Sequence, residues 1–231
     1  MKEEDCLVKY FINVIYPGRK KGTAIGFEDG IIPRLRKDHI NFFTPWGPRY
    51  SWKERGVTIN EDDKEIQLLK LFSLFLEELK SIKTIKKKIN WIFLGADIYG
   101  YKINNIPEDV VKEYFSSLKY WLKQIIPESE FKLWSEFNYL SKFLRSDVSN
   151  FLTKDNWVRL DKRNKKSNIS LNPIMGSTKD YIFERLLEAY LIECLYQPVK
   201  ISCAPSYKDW ILDLDLPRLY ITPSHLQVPW L

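Results

Sequence analysis

The sequence predicts an α/β fold in which helices cover a mostly parallel, Rossmann-like sheet. Its strongest strand signal is the apolar run from Trp91 to Ile98, which is bounded by charge and by Gly100 and is typical of a central strand buried on both faces. After Pro107, apolar residues recur at the helical period, which predicts a long amphipathic helix. A further helix, Asp180 to Leu195, precedes an alternating strand from Val199 to Cys203. This succession of strand and helix is typical of βαβ units.

The first eighty residues add more local signals. Apolar spacing between Leu7 and Ile15 favours a short helix, and Ile40 to Phe43 predicts a brief strand. Residues 44–50 (TPWGPRY) are then expected to form a loop. Glu61 to Glu65 brings negative charge to a helix start, where the helix dipole favours it, and Ile66 to Leu79 continues as a strongly apolar, buried helix.

Length and composition suit one packed domain spanning 1–231. The chain has 231 residues, 45% of them hydrophobic, and no linker or internal repeat divides it. Residues 161–170 (DKRNKKSNIS) are polar, basic and without period, so we expect a mobile loop or lid there. The formal net charge of +6 favours anionic partners such as phosphorylated metabolites, nucleic acid or membrane surfaces, without choosing among them.

Several classes of protein lack their usual sequence signals. Cys6, Cys194 and Cys203 show neither metal-binding nor disulfide spacing and are expected to be reduced thiols of a cytoplasmic protein. The charged N-terminus does not fit a signal peptide, and no apolar run is long enough to span a bilayer, so no membrane partner is expected. The chain has no Walker A, G-x-G-x-x-G, H-E-x-x-H or G-x-S-x-G motif, and no motif requires a metal or nicotinamide cofactor.

The first candidate site lies at the end of the buried strand. Ligands of open α/β sheets bind outside the carboxyl ends of the strands, where Asp97, Tyr99 and Tyr101 are expected. Partial burial can raise the pKa of a carboxyl group toward neutrality, so Asp97 can hold a substrate amine or act as a base. The alternative is that Asp97 caps the following loop or pairs with a basic neighbour.

Arg49 is a second candidate because its loop is stiffened by Pro45 and Pro48. A guanidinium held in this way suits phosphate or carboxylate. The alternative is that the loop's aromatic residues and prolines only pack it over the core.

Other charged groups have simpler interpretations. Glu184, Arg185 and Glu188 have the spacing of surface ion pairs on the last helix. The basic segments Lys80 to Lys88 and Lys162 to Lys166 predict solvated faces, with RNA binding as the alternative.

One segment carries a family pattern. A loop with Gly47 and Arg49 leads through Gly56 and the acidic stretch Asp62 to Glu65 into an apolar helix. This segment, Phe42 to Leu79, resembles the Arg loop, Gly turn and Asp-x-x-Glu helix entry of the isocyanide (isonitrile) synthase family.

Two later segments resemble the same family in the same order. Residues 94–97 (LGAD), followed by a helix entered near Asp109, resemble its strand ending in Ser-Asp-Gly, although Gly does not follow Asp here. Residues 196–202 (YQPVKIS) resemble its Tyr-Pro-x-x-Ile-Arg-Leu-Ser strand, with Lys in place of Arg. Residues 222–225 (TPSH) stand where the family has Thr-Pro-Trp-His.

The resemblance implies an activity and a set of residue roles. Family members build an isonitrile on the amino nitrogen of an aromatic amino acid, using the carbon of a pentulose phosphate. On that basis Asp97 helps hold or deprotonate the amino group and His225 assists proton transfer. Arg49 and Lys200 bind phosphate or carboxylate. Ser202 lies on the same family-like strand as Lys200 and is also assigned to substrate binding.

The leading hypothesis is therefore a transferase-like biosynthetic enzyme that takes an amine-bearing metabolite and a phosphorylated sugar. Two alternatives stay open. One is an RNA-binding or interaction protein that uses the basic segments. The other is an unrelated enzyme that binds nucleotides or phosphate esters.

Overall fold

The computed structural model describes residues 24–25, 30–49, 51–81, 88–153, 178–202 and 218–220. Several features that the sequence singles out lie outside these ranges: the helix at Leu7 to Ile15, residues 82–87 of the basic segment Lys80 to Lys88, the loop at 161–170, the basic segment at 162–166, residues 222–225 with His225, Cys6 and Cys203.

Within the described ranges, six strands form one sheet. They are β1 (Ala24–Ile25), β2 (His39–Trp46), β3 (Lys88–Gly95), β4 (Glu130–Leu133), β5 (Val199–Ser202) and β6 (Arg218–Tyr220). Their order across the sheet is β1-β6-β5-β2-β3-β4, and each neighbouring pair is parallel except β1 with β6. The expected α/β fold with a mostly parallel, Rossmann-like sheet is confirmed.

Helices occupy most of the connections. They are α1 (Ile32–Leu35), α2 (Trp52–Arg55), α3 (Lys64–Ser81), α4 (Glu108–Ile125), α5 (Asn138–Phe151) and α6 (Thr178–Tyr196). A π-helical turn, Tyr99–Ile103, follows β3, and a 3-10 turn, Trp134–Phe137, follows β4. The three long helices expected from the sequence are confirmed. None of the helices in the described ranges combines the length and the apolar character that crossing a bilayer requires.

Alternate residues of the central strands enter two apolar layers. Phe42 and Trp91 belong to the layer that α3 and α4 cover, whereas Phe43 and Ile92 belong to the layer that α5 and α6 cover. Strand β3 is therefore buried on both faces, as its continuous apolar run predicts, although it ends at Gly95 and not at Ile98, which the prediction included.

Helix α4 shows how the sequence specifies a packed helix. Pro107 precedes it, and Glu108 and Asp109 supply negative charge to its first turn. Its buried residues lie on one face: Val111, Tyr114, Phe115, Leu118 and Leu122. This spacing lets one side of the helix pack on the sheet while the other stays solvated.

The predicted loop at 44–50 is wrong at its start, because Thr44, Pro45 and Trp46 continue β2. The Trp46 carbonyl accepts a hydrogen bond from Ala96 N–H at 2.8 Å, so Trp46 faces β3 and Pro45 faces the opposite side. On that side β2 pairs with β5 only at Phe42 and Phe43. The missing N–H of Pro45 therefore costs no ladder hydrogen bond, which is the condition under which a strand tolerates proline.

Side chains at the edge of the sheet where the parallel strands begin hold the C-terminal end of α6. Arg34 donates to Glu193 Oε1 at 2.5 Å and to the Gln197 carbonyl at 3.1 Å, and Lys37 donates to the Gln197 side chain. Gln197 has a φ of 44°, the left-handed conformation that commonly ends helices. Asn41 of β2 also donates to a carbonyl at this turn, that of Tyr196, at 2.6 Å.

Candidate functional site

The strand order reverses beside β2. The chain proceeds from β2 to β3 and β4 on one side, and then to β5 and β6 on the other. In an open parallel sheet, the carboxyl edge at such a reversal is where ligands bind. Here that edge follows Trp46 of β2 and Ser202 of β5, and Asp97 lies just beyond the neighbouring β3. The candidate site is therefore this carboxyl edge.

Asp97 is fixed at the edge by a backbone donor. It is 6% exposed, and its Oδ1 accepts a hydrogen bond from Ser135 N–H at 3.0 Å. Ser135 belongs to the 3-10 turn after β4, so Asp97 contacts a turn distant in sequence, whereas the capping alternative concerned the loop that follows Asp97. The contact leaves a carboxylate at the edge with a defined orientation.

The π-helical turn places two tyrosines differently. Tyr99 is 3% exposed and lies in the apolar layer under α5 and α6, whereas Tyr101 is half-buried. Burial, and then the negative charges of Asp97 and Glu108, raise the pKa of Tyr101 above its usual value. Tyr101 therefore keeps its phenolic proton at neutral pH and lies within the electrostatic influence of Asp97. The binding roles of both tyrosines stay predictions.

Gly100 lets the π-helical turn pack closely against Val111 and Pro48. A Cβ at this position would meet Val111 Cγ2 at 2.8 Å and Pro48 Cγ at 3.1 Å. We expect Gly100→Ala to lower the free energy of unfolding by roughly 1–2 kcal/mol, because overpacking forces neighbouring groups to shift.

Val111→Ala supplies the control for this expectation, because it removes both methyl groups that the new Cβ would meet. Urea denaturation of the two single variants and the double variant should then show a double variant less destabilised than the sum. Strict additivity would mean that Gly100 does not contact Val111 closely.

The guanidinium of Arg49 faces carboxylates of the protein itself. Its side chain is 2% exposed, Nη2 lies 2.8 Å from Asp63 Oδ2, and Nε lies 2.9 Å from Glu65 Oε1. Nη1 donates to the carbonyls of Gly56 and Thr58 at 3.4 and 3.2 Å. Arg49 thus ties the chain after β2 to the start of α3, which favours the loop-packing interpretation. A phosphate ligand would have to displace these contacts, and that role stays a prediction.

Arg55 completes the same network from the exposed side. Its Nη2 lies 3.1 Å from Asp63 Oδ1 and 3.2 Å from Glu65 Oε2. Burial on its own would raise the pKa of Asp63, but hydrogen bonds from Asn60 N–H, Arg49 and Arg55 together lower it. Within the first family-like segment, Arg49 therefore contacts the Gly56 carbonyl, Asp63 and Glu65.

Lys200 lies away from Asp97, within the sheet. It is 2% exposed and pairs in register with Phe43, so its side chain faces the layer covered by α6. Ser202 is the last residue of β5 and is at the carboxyl edge. Among the described residues, no group of three His, Cys, Asp or Glu side chains could hold a metal ion.

The charged residues of α6 are buried, so their prediction as surface ion pairs is wrong. Arg185 and Glu188 form a pair at 2.6 Å with side chains 10% and 2% exposed. Glu184 is 9% exposed and contacts Trp134 and Arg145. Of these residues, Glu184 faces α5, because it contacts Arg145 of that helix.

Comparison with known proteins shows the fold. No family model matches the chain, and no curated protein matches it. Among solved structures, it is similar to tyrosyl-tRNA synthetase from Archaeoglobus fulgidus, determined with L-tyrosine, with a TM-score of 0.59 and 13% identity. It is also similar to the PvcA protein from Pseudomonas aeruginosa, with a TM-score of 0.53 and 12% identity.

These alignments cover the two neighbours unequally. The alignment to the synthetase includes 93% of this chain and 64% of the synthetase chain, so this chain spans less than two thirds of that protein. The alignment to PvcA includes the whole of this chain and 86% of the PvcA chain.

The structure brings together some predicted residues and adds others. The charge of Asp97 acts on Tyr101. Arg49 lies over the Tyr114 ring in the layer of α3 and α4, while Lys200 faces the opposite layer. Sequence reasoning missed Trp134 and placed Glu184 on the surface. No local signal distinguishes Glu184, because α6 also contains Asp180, Glu188 and Glu193.

Proposed function

We propose that this protein is a biosynthetic enzyme related in activity to isocyanide synthases. Its substrates are an amine-bearing metabolite, with aromatic amino acids as the leading class, and a phosphorylated sugar. It acts at the carboxyl edge beside Asp97, in a cytoplasmic setting.

The observation that carries this proposal is the position of Asp97. An oriented carboxylate lies at the carboxyl edge, next to the point where the strand order reverses, and a phenol lies under its influence. A carboxylate held in this way can act as a base and take a proton from the amine of a bound substrate. The ordered resemblance of three segments to isocyanide synthases supports the choice of reaction, and the fold shared with a synthetase that binds L-tyrosine supports the choice of amino acid.

The test is thermal stabilisation by L-tyrosine together with a pentulose phosphate. At 100 times its dissociation constant, a ligand adds about 2.7 kcal/mol of stability, which corresponds to an increase in Tm of about 5 °C or more for a chain of this size. We expect Asp97→Asn to lose at least half of that increase. The amide keeps an oxygen for Ser135 N–H, so the fold should be retained while the charge is lost.

Asp38→Asn is the matched control. Asp38 is exposed and precedes β2 at the opposite edge of the sheet, so its loss should leave the response to ligand unchanged. Equal responses in wild type and Asp97→Asn would contradict the assignment of the site. A Tm that rises only with short RNA, with affinity falling steeply in salt, would instead favour the RNA-binding alternative.

A further inference from the structure

Glu184 lies between two donors that come from different elements. Its Oε2 accepts from Trp134 Nε1 at 3.1 Å, and its Oε1 accepts from Arg145 Nη2 at 2.9 Å. A carboxylate this buried needs a cation beside it, because the desolvation of an unpaired charge costs several kcal/mol. In this structure Arg145 supplies that cation.

Arg145 is the less firmly held partner. Its side chain is 39% exposed, against 12% for that of Glu184. A guanidinium already partly in water can turn away from the carboxylate without a large change in its own hydration.

The position that Arg145 occupies suits cations in general. The guanidinium carbon lies 5.5 Å from the centre of the Phe183 ring, so the same position is bounded by a carboxylate oxygen and an aromatic face. Carboxylates and aromatic faces are the groups with which proteins bind ligand ammonium ions.

Trp134 connects this position to the candidate site. It follows the last residue of β4, which pairs in register with Gly95 at the end of β3. Asp97 accepts from Ser135, and Glu184 accepts from Trp134, so both carboxylates contact the same dipeptide. Glu184 approaches it from the helical layer and Asp97 from the edge of the sheet.

We propose that Glu184 binds the ammonium group of the substrate, and that Arg145 occupies this position until an amine displaces it. The exchange replaces one ion pair with another, so the buried carboxylate keeps a cation throughout. The proposal rests on the proposed function for the class of ligand, an aromatic primary amine, and it adds the residue that selects the amine.

The test is the affinity of tyramine, which has the ammonium group and the ring but no carboxylate. Calorimetric titration of the full chain should give a Kd for Glu184→Gln at least ~10-fold weaker than for wild type, because a charge-assisted hydrogen bond is lost. Arg145→Gln should bind tyramine roughly 3- to 10-fold more tightly, because the competing cation is removed.

Two controls accompany these variants. Glu128→Gln removes a carboxylate from the exposed pair with Lys80 and should leave the Kd of tyramine unchanged. 4-Ethylphenol has the ring without the ammonium group, so its affinity should be the same in all four proteins. Arg145→Gln leaves Glu184 and Trp134 in place, so the proposal can be tested even if Glu184→Gln folds poorly.

A purely structural ion pair gives different results. In that case Arg145→Gln would bind tyramine no better than wild type, or Glu184→Gln would bind it equally well, and either result overturns the proposal. Failure of tyramine to bind to both wild type and Arg145→Gln also overturns it.

The experiments distinguish a failure of the proposed function from a failure of the ammonium site. If tyramine binds through Glu184 but Asp97→Asn keeps the full response to L-tyrosine and pentulose phosphate, the ammonium site stands and the proposed function fails. If Asp97→Asn loses that response while Glu184→Gln binds tyramine normally, the proposed function stands and Glu184 is not the ammonium site.

Discussion

Arg49→Met should lower the free energy of unfolding by about 3 kcal/mol at pH 7. Methionine keeps much of the volume of the side chain but leaves Asp63 and Glu65, at 18% and 13% side-chain exposure, without their buried cation. Breaking a buried ion pair from one side typically costs 3–5 kcal/mol, and we expect the lower end because Arg55 still contacts both carboxylates. Urea denaturation measures the difference.

Arg55→Met is the matched control for this prediction. It removes a guanidinium from the same two carboxylates, but from a side chain that is 38% exposed, so we expect a loss of about 1 kcal/mol or less. Equal losses in the two variants would mean that Arg49 contributes no special stability and would favour its predicted role as a ligand for phosphate.

The effect of Arg49→Met should also depend on pH. The network lowers the pKa of Asp63 in the folded protein, so its contribution is complete above the unfolded carboxyl pKa of roughly 4 and is lost as the pH falls through the folded value. The stability gap between wild type and Arg49→Met should therefore be full at pH 7 and shrink in acid.

Trp91→Ala should cost about 3–5 kcal/mol, the largest effect that we expect from a single substitution in the core. Trp91 is 1% exposed, stacks on Phe93 with ring centres 5.5 Å apart, and lies 5.0 Å from the ring of Phe72. Its indole N–H also donates to Thr44 Oγ1 at 2.9 Å, so the substitution leaves a cavity and a lost hydrogen bond between β3 and β2. Calorimetric melting or urea denaturation would measure the loss.

Tyr120→Ala provides the comparison for Trp91→Ala. Tyr120 is 58% exposed on α4, and substitutions at such positions usually change stability by no more than about 0.5 kcal/mol. Similar losses in the two variants would contradict the assignment of Trp91 to the centre of the core.

The parts of the fold that the sequence predicts are those with a local cause. The run around Trp91 is apolar at successive positions, so it predicts a strand buried on both faces. The apolar residues of α4 recur at the helical period, so they identify the face of the helix that is buried. Asp97 was located for the same reason, because the end of a buried parallel strand is known once the strand is known.

The parts that were missed depend on distant partners. Strand β4 has four residues and alternates charged with apolar ones, so its pairing with β3 becomes evident only in the sheet. Pro45 argues locally for a loop and is tolerated only because β5 pairs with a short part of β2. The burial of Glu184 likewise requires Trp134 and Arg145, which lie 50 and 39 residues away in sequence.

The position of β5 beside β2 has a consequence for folding during translation. The hydrogen bond between Asn41 and the Tyr196 carbonyl joins residues 155 positions apart, so the ribosome must make most of the chain before β2 gains its second neighbour. At roughly 5–20 residues per second, that delay is on the order of 10–30 s. During this interval the nascent chain presents an apolar strand with an unpaired edge, which is the feature that most readily recruits other chains. We therefore expect aggregation of newly made protein to depend more on the rate of synthesis than on the stability of the finished fold.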